Sequence, residues 1–233
     1  MVSSRIAIAG FHEGLAGQVS SWFGLCLKGR KLAVYLHPEP ELPATSPEAR
    51  ITRASNRFVF PSGDNYRGLP IIYGEDWVAK LKKENISEII CALPNPEDRN
   101  VLYETARRHG FSVPSVVHPS AVVLSGARIG NGSIIEPLAY IGLDVEVGIC
   151  SHLHAGAQVD HNSVLGDYVT INPSAVIAGN VKVGEKSTIN MGAMISNGVF
   201  LGERTTVGAS AFVSSSFPEP GNRLFGIPAK QVA

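Results

Sequence analysis

The sequence predicts a two-part fold: a small Rossmann-like parallel α/β domain over residues 1–112, then a left-handed parallel β-helix over residues 113–233. Three observations predict it. Strand-like and helix-like segments alternate as far as Gly110, and from Val117 onward a Val, Ile or Leu stands at every sixth position. The composition is that of a small-residue repeat, with 24 glycines in 233 residues, 7% aromatic and 17% charged.

In the first part, residues 5–10 (RIAIAG) read as a short strand ending in glycine, and residues 13–28 have helix-like apolar spacing. Residues 31–36 (KLAVYL) read as a second strand. Residues 38–69 read as loop, with Pro38, Pro40, Pro43 and Pro47 close together and a turn signal at Pro61-Ser62-Gly63-Asp64. A helix is expected over 76–85 and a buried strand over 86–93. Asn95-Pro96-Glu97-Asp98 then opens a helix that runs through Arg108 and stops at Gly110. Such alternation builds a parallel sheet, whose ligands sit at the carboxyl ends of its strands.

The second part obeys one rule. Seventeen positions six apart, from Val117, Val123 and Ile129 to Val207 and Val213, are all Val, Ile or Leu. Four residues after each anchor stands a small or β-branched residue, and the position directly after the anchor is often glycine, as at 130, 142, 148, 166, 184, 202 and 208. This is the hexapeptide repeat of a parallel β-helix, in which three hexads close one triangular coil and roughly five coils follow one another. The anchors point inward and the coils stack at about 4.8 Å. They wind left-handed, against the usual crossover rule.

Residues 18 apart therefore share a column. His161 lies two places past the anchor Val159, outside the core, in the column Ser125, Leu143, His161, Gly179, Asn197. A glycine one coil above an imidazole leaves bare backbone against which an extended ligand would lie. Thr170, nine residues on, faces another edge of the prism, so it shares a site with His161 only across a subunit boundary, which suggests a trimer. His118 and His154 share a second column, and His152 stacks under Thr170, Thr188 and Thr206; these three histidines read as turn hydrogen-bonders.

Lys and Arg number 20 and Asp and Glu 20, and this zero balance argues against a nucleic-acid binder. Cys26, Cys91 and Cys150 are odd in number and form no CxxC pair, which argues against a disulfide framework or zinc knuckle and for a reducing cytoplasm. No apolar run approaches the ~20 residues needed to cross a bilayer. The first ten residues lack the apolar stretch and cleavage site of a secretion signal.

Three segments resemble one family: Val159-Asp160-His161-Asn162-Ser163-Val164-Leu165-Gly166-Asp167, Ala178-Gly179-Asn180-Val181-Lys182-Val183-Gly184, and Phe225-Gly226-Ile227-Pro228-Ala229-Lys230. The family is that of the sialic-acid O-acetyltransferases and the bacillosamine and perosamine N-acetyltransferases. The resemblance implies an N-terminal substrate-binding domain and a β-helix acetyltransferase domain. It implies transfer of acetyl from acetyl-CoA to an amino or hydroxyl group of a sugar, as a homotrimer without a metal. It makes His161 the general base, partnered by Asn162, and places Thr170, Gly179, Met191 and Ala209 at acetyl-CoA. Gly10, His12, Glu13 and Gly14 fall where the family binds the sugar nucleotide.

The chain departs from the family pattern at four places. The acidic residue that usually follows the base is Asn162, which orients an imidazole but does not stabilise imidazolium as a carboxylate does. The second histidine found in many members is Thr170. The first turn is Gly10-Phe11-His12-Glu13-Gly14, with a negative charge where a phosphate would sit, and His37-Pro38 replaces the acidic pair that reads a uracil.

Two other functions fit the same solenoid. A γ-class carbonic-anhydrase-like enzyme would need zinc-ligating histidines five apart plus a third, whereas His152, His154 and His161 are separated by two, seven and nine. A non-catalytic sugar-binding or scaffold protein would accommodate Asn162, Thr170 and the altered first turn.

Overall fold

A computed structural model describes residues 4–10, 15–38 and 65–232. The chain forms two compact units, one of residues 1–94 and 104–112, the other of residues 95–103 and 113–233.

In the first unit, β1 (Ser4–Ala9), β2 (Arg30–His37), β4 (Leu69–Tyr73) and β5 (Glu88–Cys91) are parallel, and β3 (Asn65–Tyr66) forms an antiparallel hairpin with β4. The order is β3-β4-β2-β1-β5. Helices α1 (Leu15–Cys26) and α2 (Trp77–Lys83) alternate with the strands, and α3 (Pro96–Arg108) runs from residues 95–103 of the second unit into residues 104–112 of the first. β1 reads as a near-continuous apolar run because Ile6, Ala7, Ile8 and Ala9 are all fully buried, as strands of a covered parallel sheet are. The β3–β4 hairpin is the element that the loop reading of residues 38–69 and the silence beyond it missed. Pro70 in Leu69-Pro70-Ile71 conceals a strand that lies between β3 and β2, with the proline just ahead of the β2 register, which begins at Ile71.

The second unit is the predicted left-handed β-helix. Seventeen two-residue strands, β6 to β22, run from Val116–Val117 to Phe212–Val213, and the strands pair in parallel with register 18 residues apart. They form three faces. The first carries Val122, Tyr140, Gln158, Val176, Met194 and Phe212; the second Arg128, Glu146, Val164, Lys182 and Phe200; the third Val116, Ile134, His152, Thr170, Thr188 and Thr206. A closing hairpin, β23 (Arg223–Gly226) and β24 (Ala229–Gln231), extends the third face. From Ile135 to Val213 every anchor is buried in one continuous core. In the first coil Val123 stays 40% exposed, since no coil lies beneath it.

Two details explain the hexad. Several of the glycines that follow an anchor are needed for close approach: a Cβ at Gly148, Gly166 or Gly184 would lie 2.4–2.7 Å from backbone of the next coil. From Gly126 to Ser210 the residue three past each anchor has positive φ, whether Gly156, Asn162, Tyr168 or Lys186, so the turn itself does not demand glycine. At the small position, serine forms a staple between coils. Ser163 Oγ donates to Ala178 O (2.9 Å) and accepts from Val181 N–H (3.1 Å), and Ser133, Ser151 and Ser187 repeat the pattern.

Candidate active site

His161 follows strand β13 (Gln158–Val159) at the corner between the first and second faces. The turn is held from below by Asn162 N–H donating to Leu143 O (2.9 Å), and from above by Asn180 N–H donating to His161 O (2.9 Å). Asp160 accepts from the His161 backbone N–H (2.7 Å) rather than from the ring, so its carboxylate fixes the turn and leaves the imidazole to Asn162. Positive φ of 58° at Asn162 is a conformation that asparagine tolerates. It brings Oδ1 to 3.0 Å from His161 Nδ1. With the amide oxygen facing the ring, Nδ1–H is the donor and the Nε2 lone pair is left to accept a proton.

A Cβ at Gly179 would lie 2.5 Å from both Cε1 and Nε2 of His161, so the ring lies against the glycine face. The sequence suggested that this bare backbone was a wall for an extended ligand. Instead the imidazole covers it, and Gly179 is buried.

The remaining predicted residues fall elsewhere on the prism. Met191 and Ala209 stack one above the other at the corner between the third and first faces, where Ser210 N–H donates to Met191 O (2.9 Å); Met191 is 59% exposed. Thr170 lies on the third face, paired in register with His152 below and Thr188 above, and it is buried. The structure thus brings His161, Asn162 and Gly179 together and holds Met191, Ala209 and Thr170 away from them within one protomer. Among the described residues no group of three His, Cys, Asp or Glu side chains is placed to hold a metal ion, and no helix is long and apolar enough to cross a membrane.

Two features escaped the sequence reading. Arg99 is fully buried, and its Nη2 donates to Tyr168 O (2.5 Å) and Thr170 Oγ1 (2.8 Å). A helical arginine reads as solvent-facing, and its partners here are 69 and 71 residues away. Near it, Glu97 accepts from Lys186 (2.9 Å) and Arg204 (3.1 Å); the Lys186 hydrogen bond, with Arg204 in support, holds the Glu97 carboxyl below the ordinary range. The second feature is the pair Glu136 and His154, with Nδ1–H of His154 donating to Glu136 Oε1 at 3.1 Å. The 18-residue period already placed Glu136 under His154, so this contact was available to the column argument. His118 is the turn hydrogen-bonder expected of it, contacting Ser120 Oγ at 2.8 Å.

In the first unit, Gly10 directly follows β1 with φ of 94°, and a Cβ there would meet Ala92 O at 2.3 Å. Its N–H donates to Leu36 O (3.2 Å), so this group is taken by the sheet and not offered to a phosphate. His37 ends β2, 2% exposed. His12, Glu13 and Gly14 lie outside the described residues.

No family model matches the chain. GDP-perosamine N-acetyltransferase of Escherichia coli O157:H7 is 33% identical over 82 residues, 35% of this chain; the match spans 37% of that relative's length. A perosamine N-acetyltransferase variant from Caulobacter crescentus, solved with CoA and GDP-perosamine, is 26% identical with a TM-score of 0.81, covering 100% of this chain and 98% of that one. This chain is similar to the perosamine N-acetyltransferases over its whole length. The acetyltransferase domain of PglB from Neisseria gonorrhoeae, in complex with acetyl coenzyme A, is also 26% identical with a TM-score of 0.81, over 99% of this chain and 100% of that one. Similarity of this extent covers both the α/β unit and the coils, including the turn that presents His161.

Proposed function

We propose that the protein transfers acetyl from acetyl-CoA to an amino group of a nucleotide-linked sugar, with His161 as general base. The observation that carries this reading is the His161 turn: an imidazole with Nδ1–H fixed on Asn162 and Nε2 left to accept a proton. The full-length likeness to a protein solved with CoA and GDP-perosamine supports the substrate classes. An amine suits a base partnered by an amide better than a hydroxyl does, because it needs less activation to attack a thioester. Met191 and Ala209 belong to the acetyl-CoA side, on a different corner from the base. The site is therefore completed between neighbouring prisms of a homotrimer. Cytoplasmic acetyl-CoA is the donor pool in this reading.

Acetyl transfer from acetyl-CoA is measured against UDP-, GDP- and dTDP-linked 4-amino sugars and free sialic acid, with His161→Ala alongside. The expected result is transfer to one nucleotide-linked amino sugar and a loss on the order of 10²-fold or more in the variant. Wild type and variant equally inactive on every acceptor, with no CoA binding, would overturn the reading and favour a scaffold.

A further inference from the structure

The three faces of the β-helix differ in what their outward side chains have to meet. The second face carries charge on three of its five rungs, with Arg128 paired to Glu146 and Lys182 exposed. On the third, Val116, Ile134, His152 and Thr170 are buried within their own chain, and Arg99 donates to Thr170 Oγ1. The first face has neither finish. Its outward column is Val122, Tyr140, Gln158, Val176, Met194 and Phe212, one residue per coil and none charged. Val122 and Met194 are exposed, and Tyr140, Val176 and Phe212 are half-buried. Stacked in register, they form a continuous apolar stripe, unlike the scattered apolar residues of an ordinary surface.

The corners on either side continue this stripe. Leu143, at the corner between the first and second faces, is 45% exposed, and Leu138, at the corner between the third and first, is 72% exposed. Both lie on the coil of Tyr140. These are also the two corners that the acetyl-transfer reading brings together: His161 stands directly above Leu143, and Met191 and Ala209 share the corner of Leu138. When each prism offers one end of its first face to the other end of its neighbour's, three prisms close a ring with their first faces turned inward. Three equal triangles joined corner to corner enclose a triangle of the same size. The enclosed space then has the cross-section of a prism's own interior, which three inward aliphatic side chains per coil fill. Three outward side chains per coil, one from each first face, fill it in the same way.

We infer that the first face docks two further copies of this chain, and that its outward column becomes a fourth hydrophobic core on the threefold axis. This rests on the acetyl-transfer reading, which supplies the two corners that meet. Gln158 is the one amide in the column. It lies on the coil of His161, with Tyr140 below it and Val176 above. A carboxamide buried alone there would leave its donors and acceptor unsatisfied. Three level copies satisfy one another, each N–H donating to the next carbonyl oxygen. Prisms staggered by one coil would set the amide against Tyr140 or Val176. The ring therefore favours a closed trimer with its three bases level over an open staggered array.

The test puts the same charge on two faces. Val176→Glu and Val164→Glu alter half-buried valines of the first and the second face. Mass by sedimentation, circular dichroism and kcat are measured on the full chain at matched concentration. Wild type is expected to sediment as a trimer. Val176→Glu brings three carboxylates together on the axis, and it is expected to sediment as a monomer with its β-sheet spectrum kept. Its kcat should fall on the order of 10²-fold, because the base is parted from the acetyl-CoA corner. Val164→Glu should stay trimeric with kcat within about threefold of wild type. If Val176→Glu does not fold, Gln158→Glu decides, since an exposed side chain carries that charge without disturbing the coil. First-face variants that stay trimeric and active, dissociation by Val164→Glu alone, or an active monomeric wild type would overturn the inference. A trimer that Val176→Glu splits but that acetylates no acceptor keeps the interface and removes the acetyl-transfer reading, a different failure.

Discussion

At the His161 corner, the imidazole is positioned by one hydrogen bond and one missing side chain. Nδ1 is tied to Asn162 Oδ1 at 3.0 Å, and the ring lies where a Cβ at Gly179 would come within 2.5 Å of Cε1 and Nε2. The neighbour that such a Cβ meets is a rotatable ring at an exposed corner, so the ring moves and the backbone does not. Gly179→Ala is therefore expected to leave stability within ~0.5 kcal/mol, since nothing in the core shifts. It should lower kcat on the order of 10²-fold by displacing the base from its working geometry. Melting curves and steady-state kinetics on one preparation check both halves. A variant that melts early and keeps its kcat per folded molecule would show that Gly179 serves the coil and not the ring.

The hexad is an element in which glycine has two different reasons to occur. At Gly184 a Cβ would lie 2.4 Å from Glu203 N and 2.5 Å from Gly202 C, which are backbone atoms of the next coil and have nowhere to go. At Gly198 φ is 74° and nothing lies within 4 Å. Gly184→Ala is expected to cost about 1–3 kcal/mol through forced separation of coils. Gly198→Asn, placing a left-handed-tolerant residue in open space, is expected to stay within ~0.5 kcal/mol. Thermal denaturation of the pair reads this contrast, and equal losses would refute the close-approach explanation. The same element shows why the β-helix was legible from the chain alone. Coil stacking forces the anchor, the small residue and the close-approach glycine to recur together, and a period leaves a signature that no single strand has. The β3–β4 hairpin has no period. It consists of two residues and five, with Pro70 inside, and its strand character comes from pairing with β2 and not from local pattern. Arg99 was hidden for a similar reason: its partners Tyr168 and Thr170 belong to a later coil, and nothing near it in sequence marks it as buried.

Across the whole molecule, the period located His161 at a corner and Thr170 on a different face, but its power ended at the edge of one prism. It reports which residues share a column and not which columns of two subunits meet. His161 stands at the corner between the first and second faces, and Met191 at the corner between the third and first. In a homotrimer with cyclic symmetry, one active site would draw its base from one protomer and its acetyl-CoA contacts from the next. His161→Ala and Met191→Glu, which puts a charge on the acetyl-CoA corner, should then complement each other. In trimers assembled at random from equal amounts of the two variants, one boundary in four has an intact His161 facing an intact Met191. Co-refolded or co-expressed mixtures should thus recover about a quarter of wild-type activity while each variant alone stays low. Mixing finished trimers without subunit exchange should recover nothing. If co-assembled trimers, verified by mass, are no more active than the mean of their parents, His161 and Met191 do not meet across a boundary. The base would then have to find its donor within a single prism, contrary to the placement of Met191 and Ala209 at another corner.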